Sequence, residues 1–248
     1  MKPYTKQTLS YPIDAPRRSI SLPFHRGNTR VIHEWRNRVC AEYNSANITT
    51  ELVQGLIRLG APVQLIDAAL RIIRDELDHA RLSFVVLQAI DKSHECVEIP
   101  MVPPLREDML QQVLRRTLEN FCFGETLAVP LFHAMYREAK HPQAREALER
   151  ILQDEARHRA FGWQVLDFLC THYAKDTRAY IVQDIPRCIY LFSKAYSAVQ
   201  KHSPLRKDER ELGLIDIEEY QRIWEQAYEK DIRARFEKRG ITTPDLQR

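Results

Sequence analysis

LQDEARHRAFGW, residues 152–163, sets Glu155 and His158 three positions apart in a stretch where Ala156, Ala160, Phe161 and Trp163 read as helix-packing residues. On a helix, positions i and i+3 share a face, so the carboxylate and the imidazole would project together. One such pair on a solvated face would carry no meaning, but the chain holds a second. Residues 74–80, RDELDHA, repeat the Asp-Glu-x-x-His order with Glu76 and His79. In a chain of this composition E-x-x-H arises by chance roughly 0.7 times and D-E-x-x-H about 0.04 times, so two copies of the longer string stand above background. A third E-x-x-H, Glu138 to His141, ends just before Pro142, and there the histidine is expected to cap the last carbonyls of a helix.

The rest of the sequence places both motifs in long helices. Only seven glycines occur, mostly near the ends of apolar-periodic stretches, which favours helices over hairpins. The spacing predicts a helix over 29–59, ended by Gly60-Ala61-Pro62, and a second over 63–90. Beyond a proline-marked connection, EIPMVPPL at 98–105, a third is expected over 106–140 and a fourth over 142–173. Two more, over 177–199 and 216–238, follow. Residues 1–28, with Pro3, Pro12, Pro16 and Pro23, read as an extended arm. The expected fold is all-α: that arm, a four-helix bundle over 29–175, and C-terminal helices packed on it over 176–248.

Position along the helices supplies a separate test. A metal midway along the bundle requires each motif's partner helix to offer a carboxylate at a matching distance from the turn. Glu42 lies about 18 residues before the Gly60 turn and Glu76 and His79 about 15 to 18 after it. Glu125 lies about 16 before the turn at His141, and Glu155 and His158 about 14 to 17 after it. Glu34 and Glu51 on the first helix and Glu119 on the third are rivals at other levels. The candidate ligands are thus Glu42, Glu76, His79, Glu125, Glu155 and His158. Four carboxylates balance two divalent cations, a reason for this count in a low-dielectric interior. Oxygen and imidazole donors without thiolate suit iron or manganese and fit structural zinc poorly. Asp75 and Asp154, each one position before its Glu, either accept a hydrogen bond from the other motif's histidine, with Arg157 holding one of them, or lie on an exposed face.

Composition sets the wider limits. At 248 residues, 44% apolar and 29% charged, the chain is long enough for a full core. A net charge of +3 with dispersed basic residues gives no footprint for nucleic acid or an anionic membrane. Cys40, Cys96, Cys122, Cys170 and Cys188 form no C-x-x-C pair, which suggests reduced thiols and a cytoplasmic location. Neither a secretory signal nor a membrane-spanning apolar run is apparent.

Together with the ligand pattern, the strings LGAP, DELDHARLSF, FGETLA and DEARH resemble the di-iron carboxylate branch of the ferritin-like superfamily, bacterial ferritin-like domain proteins in particular, over about residues 30–173. The resemblance implies two iron ions, with Fe/Mn or Mn/Mn as variants, O2 as co-substrate, and an external electron donor or reductase. It implies an oxidase or oxygenase acting on a small organic substrate; a ferroxidase or peroxide scavenger and a non-catalytic bundle are the alternatives. The absence of paired C-x-x-C motifs speaks against a rubredoxin-linked peroxidase, and the added arm and helices against a storage cage. Cys122, Ala128 and Val129, each about one turn from Glu125, are candidate pocket residues, Phe121, Phe132 and Phe161 are possible walls, and a kink at Pro130 would open room near the metals. The charged C-terminal segment reads as a solvated amphipathic helix, or alternatively as a homodimer contact or lid built on Ile215, Tyr220, Ile223, Trp224 and Tyr228.

Overall fold

Gly60 turns the first hairpin. Its left-handed backbone (φ 69°) lets its N–H bond the Ile57 carbonyl at 3.1 Å and the Ala61 N–H bond Leu56 at 2.9 Å. These two bonds close the end of helix α1 (Thr29–Arg58) in a Schellman arrangement. Pro62 cannot extend that helix, and α2 (Val63–Ile90) starts directly behind it. The computed structural model describes residues 7–9, 29–91, 97–100, 102–197 and 204–246. Over these the chain is all-α apart from one ribbon, in which β1 (Gln7–Leu9) pairs antiparallel with β2 (Val97–Ile99). The remainder of the 1–28 arm lies outside the described residues, as does Cys96.

The third rod departs from the expected unbroken α-helix over 106–140. Helix α3 (Met109–Arg116) is opened by Asp108, whose side chain accepts from the Gln111 N–H at 3.1 Å. Nine residues, Thr117–Glu125, then adopt π-helical geometry before α4 (Thr126–Glu138), which contains Pro130. Helix α5 (Pro142–His172) starts with proline in its first turn. It packs against α2, the π segment and α4, while α1 lies along α2. Four rods thus run side by side, with the two Glu-x-x-His motifs on neighbours α2 and α5. His141 does not cap the third rod as expected: its ring nitrogens bond nothing among the described residues. Arg145 does so instead, donating through Nη1 to the carbonyls of Tyr136 (3.2 Å) and Ala139 (3.3 Å).

The C-terminal region wraps the outside of the π segment and α4. Helix α6 (Ala174–Ala195) and the short α7 (Lys207–Glu211) lead to α8 (Ile217–Ala227). A π turn at Tyr228–Ile232 then interrupts the single helix expected over 216–238 before α9 (Arg233–Glu237). Phe123 of the π segment is packed among Phe192, Trp224, Tyr228 and Phe236, with ring centroids 5.6–6.5 Å away. Ile215, Ile223, Trp224 and Tyr228 are therefore core, and Tyr220 donates its hydroxyl to Glu34 at 3.1 Å. These side chains, the basis of the dimer-contact or lid alternative, are engaged within the chain. Among the described residues, no helix is long and apolar enough to cross a membrane.

Candidate metal centre

Every one of the six Glu and His residues is buried, and the four rods bring them together. Donor atoms of Glu42, Glu76 and His79 lie within 4.8 Å of one another, and so do those of Glu76, Glu125 and His158. Glu76 belongs to both groups. Glu155 reaches each with one oxygen: Oε1 is 3.9 Å from His79 Nδ1 and Oε2 is 3.9 Å from His158 Nδ1. The two imidazole centroids are 5.7 Å apart. Neither group is complete without residues from three of the rods or from two of them far apart in sequence, so the fold, and no local segment, builds the cluster.

The aspartates preceding each motif are crossed between them. Asp154 lies 3.1 Å from His79 Nε2, and Asp75 lies 3.2 Å from His158 Nε2. Each carboxylate accepts the Nε2–H of the opposite histidine, which turns Nδ1 toward the glutamates. Arg157 donates to Asp75 at 2.9 Å and to Asp154 at 2.5 Å. Arg150 also donates to Asp154, a partner not anticipated from the sequence although it stands four residues earlier on the same helix. Ser45, likewise unanticipated, donates to Glu76 Oε1 at 3.0 Å.

Electrostatics follow from this arrangement. Two arginines offset two aspartates, so the four inner glutamates are left without a fixed counter-charge. Without cations, protons take that role. Burial pushes the Glu42 carboxyl up to about 7 against the opposing pull of nearby His79. Burial and then the adjacent Glu125 charge drive Glu155 well above the carboxylate range, and burial also raises Glu125. Burial would likewise raise Glu76, but the imidazoles of His158 and His79 beside it outweigh burial and hold that carboxyl low. Burial depresses both imidazoles, yet the neighbouring carboxylates outweigh it, Glu42 and Glu76 raising His79 to about 10 and Asp75 and Glu76 raising His158 to about 9. Four donor atoms remain without a hydrogen-bond partner among the described residues: Glu76 Oε2, His79 Nδ1, Glu155 Oε2 and His158 Nδ1. Buried polar atoms are normally satisfied, and orphans grouped on two imidazoles and two carboxylates are the donor set that divalent cations would complete.

The rival carboxylates are engaged elsewhere. Glu51 accepts from Arg116 at 3.0 Å, Glu34 pairs with Arg38 and Tyr220, and Glu119 pairs with Arg187. Cys122, a pocket candidate, is buried against α5. In the wider π turn three residues fall short of a full turn, and the buried Cys122 thiol donates to the Gly162 carbonyl at 3.7 Å. Val129 and Pro130, with Thr126, line a cavity of about 430 Å³ between α4, α5 and α8; Ala128 is not in its lining and is half-buried. Ala156 and Ala160, expected to pack, are exposed, whereas Phe161 and Trp163 are buried.

Gly162 explains how closely the π segment approaches α5. A methyl group there would stand 2.3 Å from Phe121 Cβ and 3.1 Å from the Phe121 carbonyl carbon. One residue on, the Trp163 indole donates to the Thr126 hydroxyl, beside Glu125, at 3.1 Å. Gly162→Ala is expected to lower stability by about 1–3 kcal/mol through overpacking and to weaken metal binding by the Glu125 group. Thermal unfolding and a metal titration check both effects. Asp154→Asn is expected to weaken metal binding at the His79 group about 10- to 100-fold, with helical circular dichroism unchanged; an unaltered titration would show that the outer carboxylate does not orient the ring.

No family model matches the sequence, and no curated protein or solved structure matches it either.

Proposed function

We propose that this chain is a ferritin-like four-helix bundle carrying two transition-metal ions, iron first and manganese as the variant, and that it is an O2-dependent oxidase or oxygenase of a small organic substrate. One observation carries the reading: four buried donor atoms, on Glu76, His79, Glu155 and His158, lack hydrogen-bond partners among the described residues and lie in one cluster. Glu42, Glu76 and His79 would hold one ion, Glu125, Glu76 and His158 the other, and Glu155 would reach both. When bound, a pair of irons supplies electrons to O2 and the oxidising power for attack on a C–H, C–C or N–H bond.

The chain's own residues prepare that chemistry. Asp75 and Asp154 accept the Nε2–H of the opposite histidines and so aim each Nδ1 at the glutamates, where an arriving cation would take the place of the Nδ1 proton. Arg150 and Arg157 hold those aspartates from the rim and confine their charge to the outer layer. Ser45 fixes the rotamer of the shared Glu76. All six inner side chains are at most 8% exposed, so bulk water is kept from the site and each charge acts at close to full strength. Electrons come from an external donor or reductase.

Anaerobic Fe(II) loading followed by O2 separates this reading from its alternatives. The expected result is two irons per chain and fast oxidation of those two alone, further Fe(II) reacting no faster than in buffer. Continued turnover of excess Fe(II) would mark a ferroxidase, and an absence of stoichiometric iron a non-catalytic bundle.

A further inference from the structure

We propose that Arg38 is an anion-recognition residue beside the centre, and that the substrate class is a small monocarboxylate with an apolar body. The inference rests on the proposed function for what happens to the ligand, but not for its binding. Arg38 lies one turn before Glu42 on α1, at i and i+4 on one helix face. It is only 6% exposed. Its guanidinium sits 4.2 Å over the Trp35 ring and 5.6 Å from that of Phe132.

The donors of this fork are poorly used. Nη2 donates to the Met135 thioether at 3.2 Å, a weak acceptor. Nη1 has no hydrogen-bond partner among the described residues. Glu34 Oε1, at 3.6 Å from Nη2, is beyond hydrogen-bond reach and already accepts from Tyr220. A guanidinium cannot shed its proton to escape burial, so it stays charged there with one nitrogen bare and another on sulfur.

A carboxylate fits what is missing. Its two oxygens match Nη1 and Nη2 in the bidentate geometry that arginine favours. Met135, unbranched and with three rotatable bonds, is the neighbour best able to swing aside for it. Around the guanidinium stand two aromatic rings, a thioether and the Glu34 carboxylate. Such surroundings suit a singly charged head with an apolar body and disfavour a phosphate. Arg38 stands one helical turn from Glu42, with its guanidinium turned toward Trp35 and Met135, so the head of the ligand would sit on the far side of Arg38 and its body would run along α1 toward the glutamate cluster.

Methyl-carbon-labelled methionine NMR on the full chain tests this, because only four methionines occur and Met135→Leu assigns the relevant signal. The probes are straight-chain monocarboxylates from butyrate to octanoate and the alcohols of equal length. At least one acid should shift the Met135 methyl, its alcohol should not, and Arg38→Gln should weaken the acid tenfold or more, with Arg38→Lys in between. No shift with any acid, equal binding of acid and alcohol, or binding indifferent to Arg38→Gln would overturn the proposal. Should Arg38→Gln fail to fold, acid against alcohol in the unaltered chain decides alone. Metal content measured on the same samples separates the two readings: an acid-specific shift in protein that takes up no metal sinks the metal centre and leaves the anion site standing.

Discussion

Glu76→Ala is expected to remove both metal ions at once. Glu76 is the one side chain whose carboxylate lies in both donor groups, within 4.8 Å of Glu42 and His79 on one side and of Glu125 and His158 on the other. Alanine at this position takes a ligand from each ion and one of the four charges that would offset them. Outer partners of a metal ligand are worth about 10- to 100-fold in affinity, so loss of a shared inner ligand should exceed about 100-fold at both positions. The contrast is Glu42→Ala, which touches only the His79 group and should leave the other ion bound. Elemental analysis of both variants reads the difference, with far-ultraviolet circular dichroism to show that the helices remain. Metal retained in full by Glu76→Ala would mean that the two groups do not share a ligand.

Phe123→Ala is expected to cost about 3–5 kcal/mol, the range for removing a fully buried aromatic ring. In a domain of this size that corresponds to a fall in melting temperature of roughly 6–20 °C. The reason is where the ring sits. Phe121 packs on Phe161 of α5 with centroids 5.0 Å apart, while Phe123 faces Phe192 of α6 and Trp224, Tyr228 and Phe236 of the C-terminal elements. The π segment is gripped from both sides, two residues before Glu125. Truncation at Phe123 should therefore loosen α8 and α9 first, which hydrogen exchange would register as faster exchange there than in α1 and α2. A loss below about 1 kcal/mol would show that the aromatic cluster does not fasten the C-terminal helices.

Most of the helix limits could be read from local chemistry. Gly60 and Pro62 mark one turn and Pro142 another, so α1, α2 and α5 begin and end within a residue or so of their expected positions. The aspartate crossing was one of two open readings because i, i+3 spacing fixes a shared face but not what the next rod offers opposite it. The π segment was not legible. Its residues have no distinguishing propensity, and its register depends on docking against Gly162 and the C-terminal aromatics, which are contacts distant in sequence. Cys122, within that segment, contacts Gly162 of α5. Arg150 could have been found as an i, i+4 partner of Asp154, and Gly162 as a glycine in a helix interior that demands a packing reason. Ser45 could not, since nothing near it in sequence points to Glu76, 31 positions away. The β1–β2 ribbon was also missed, its three-residue strands being too short for any alternation to show.

The most direct test of the whole account is a metal count on the unaltered chain, purified from iron-supplied cells without chelator and analysed against protein concentration. Two ions per chain, iron or iron with manganese, is the predicted result, and absorption-edge fine structure should show only oxygen and nitrogen neighbours. A chain that carries no stoichiometric metal, or whose metal is bound through sulfur, would contradict it.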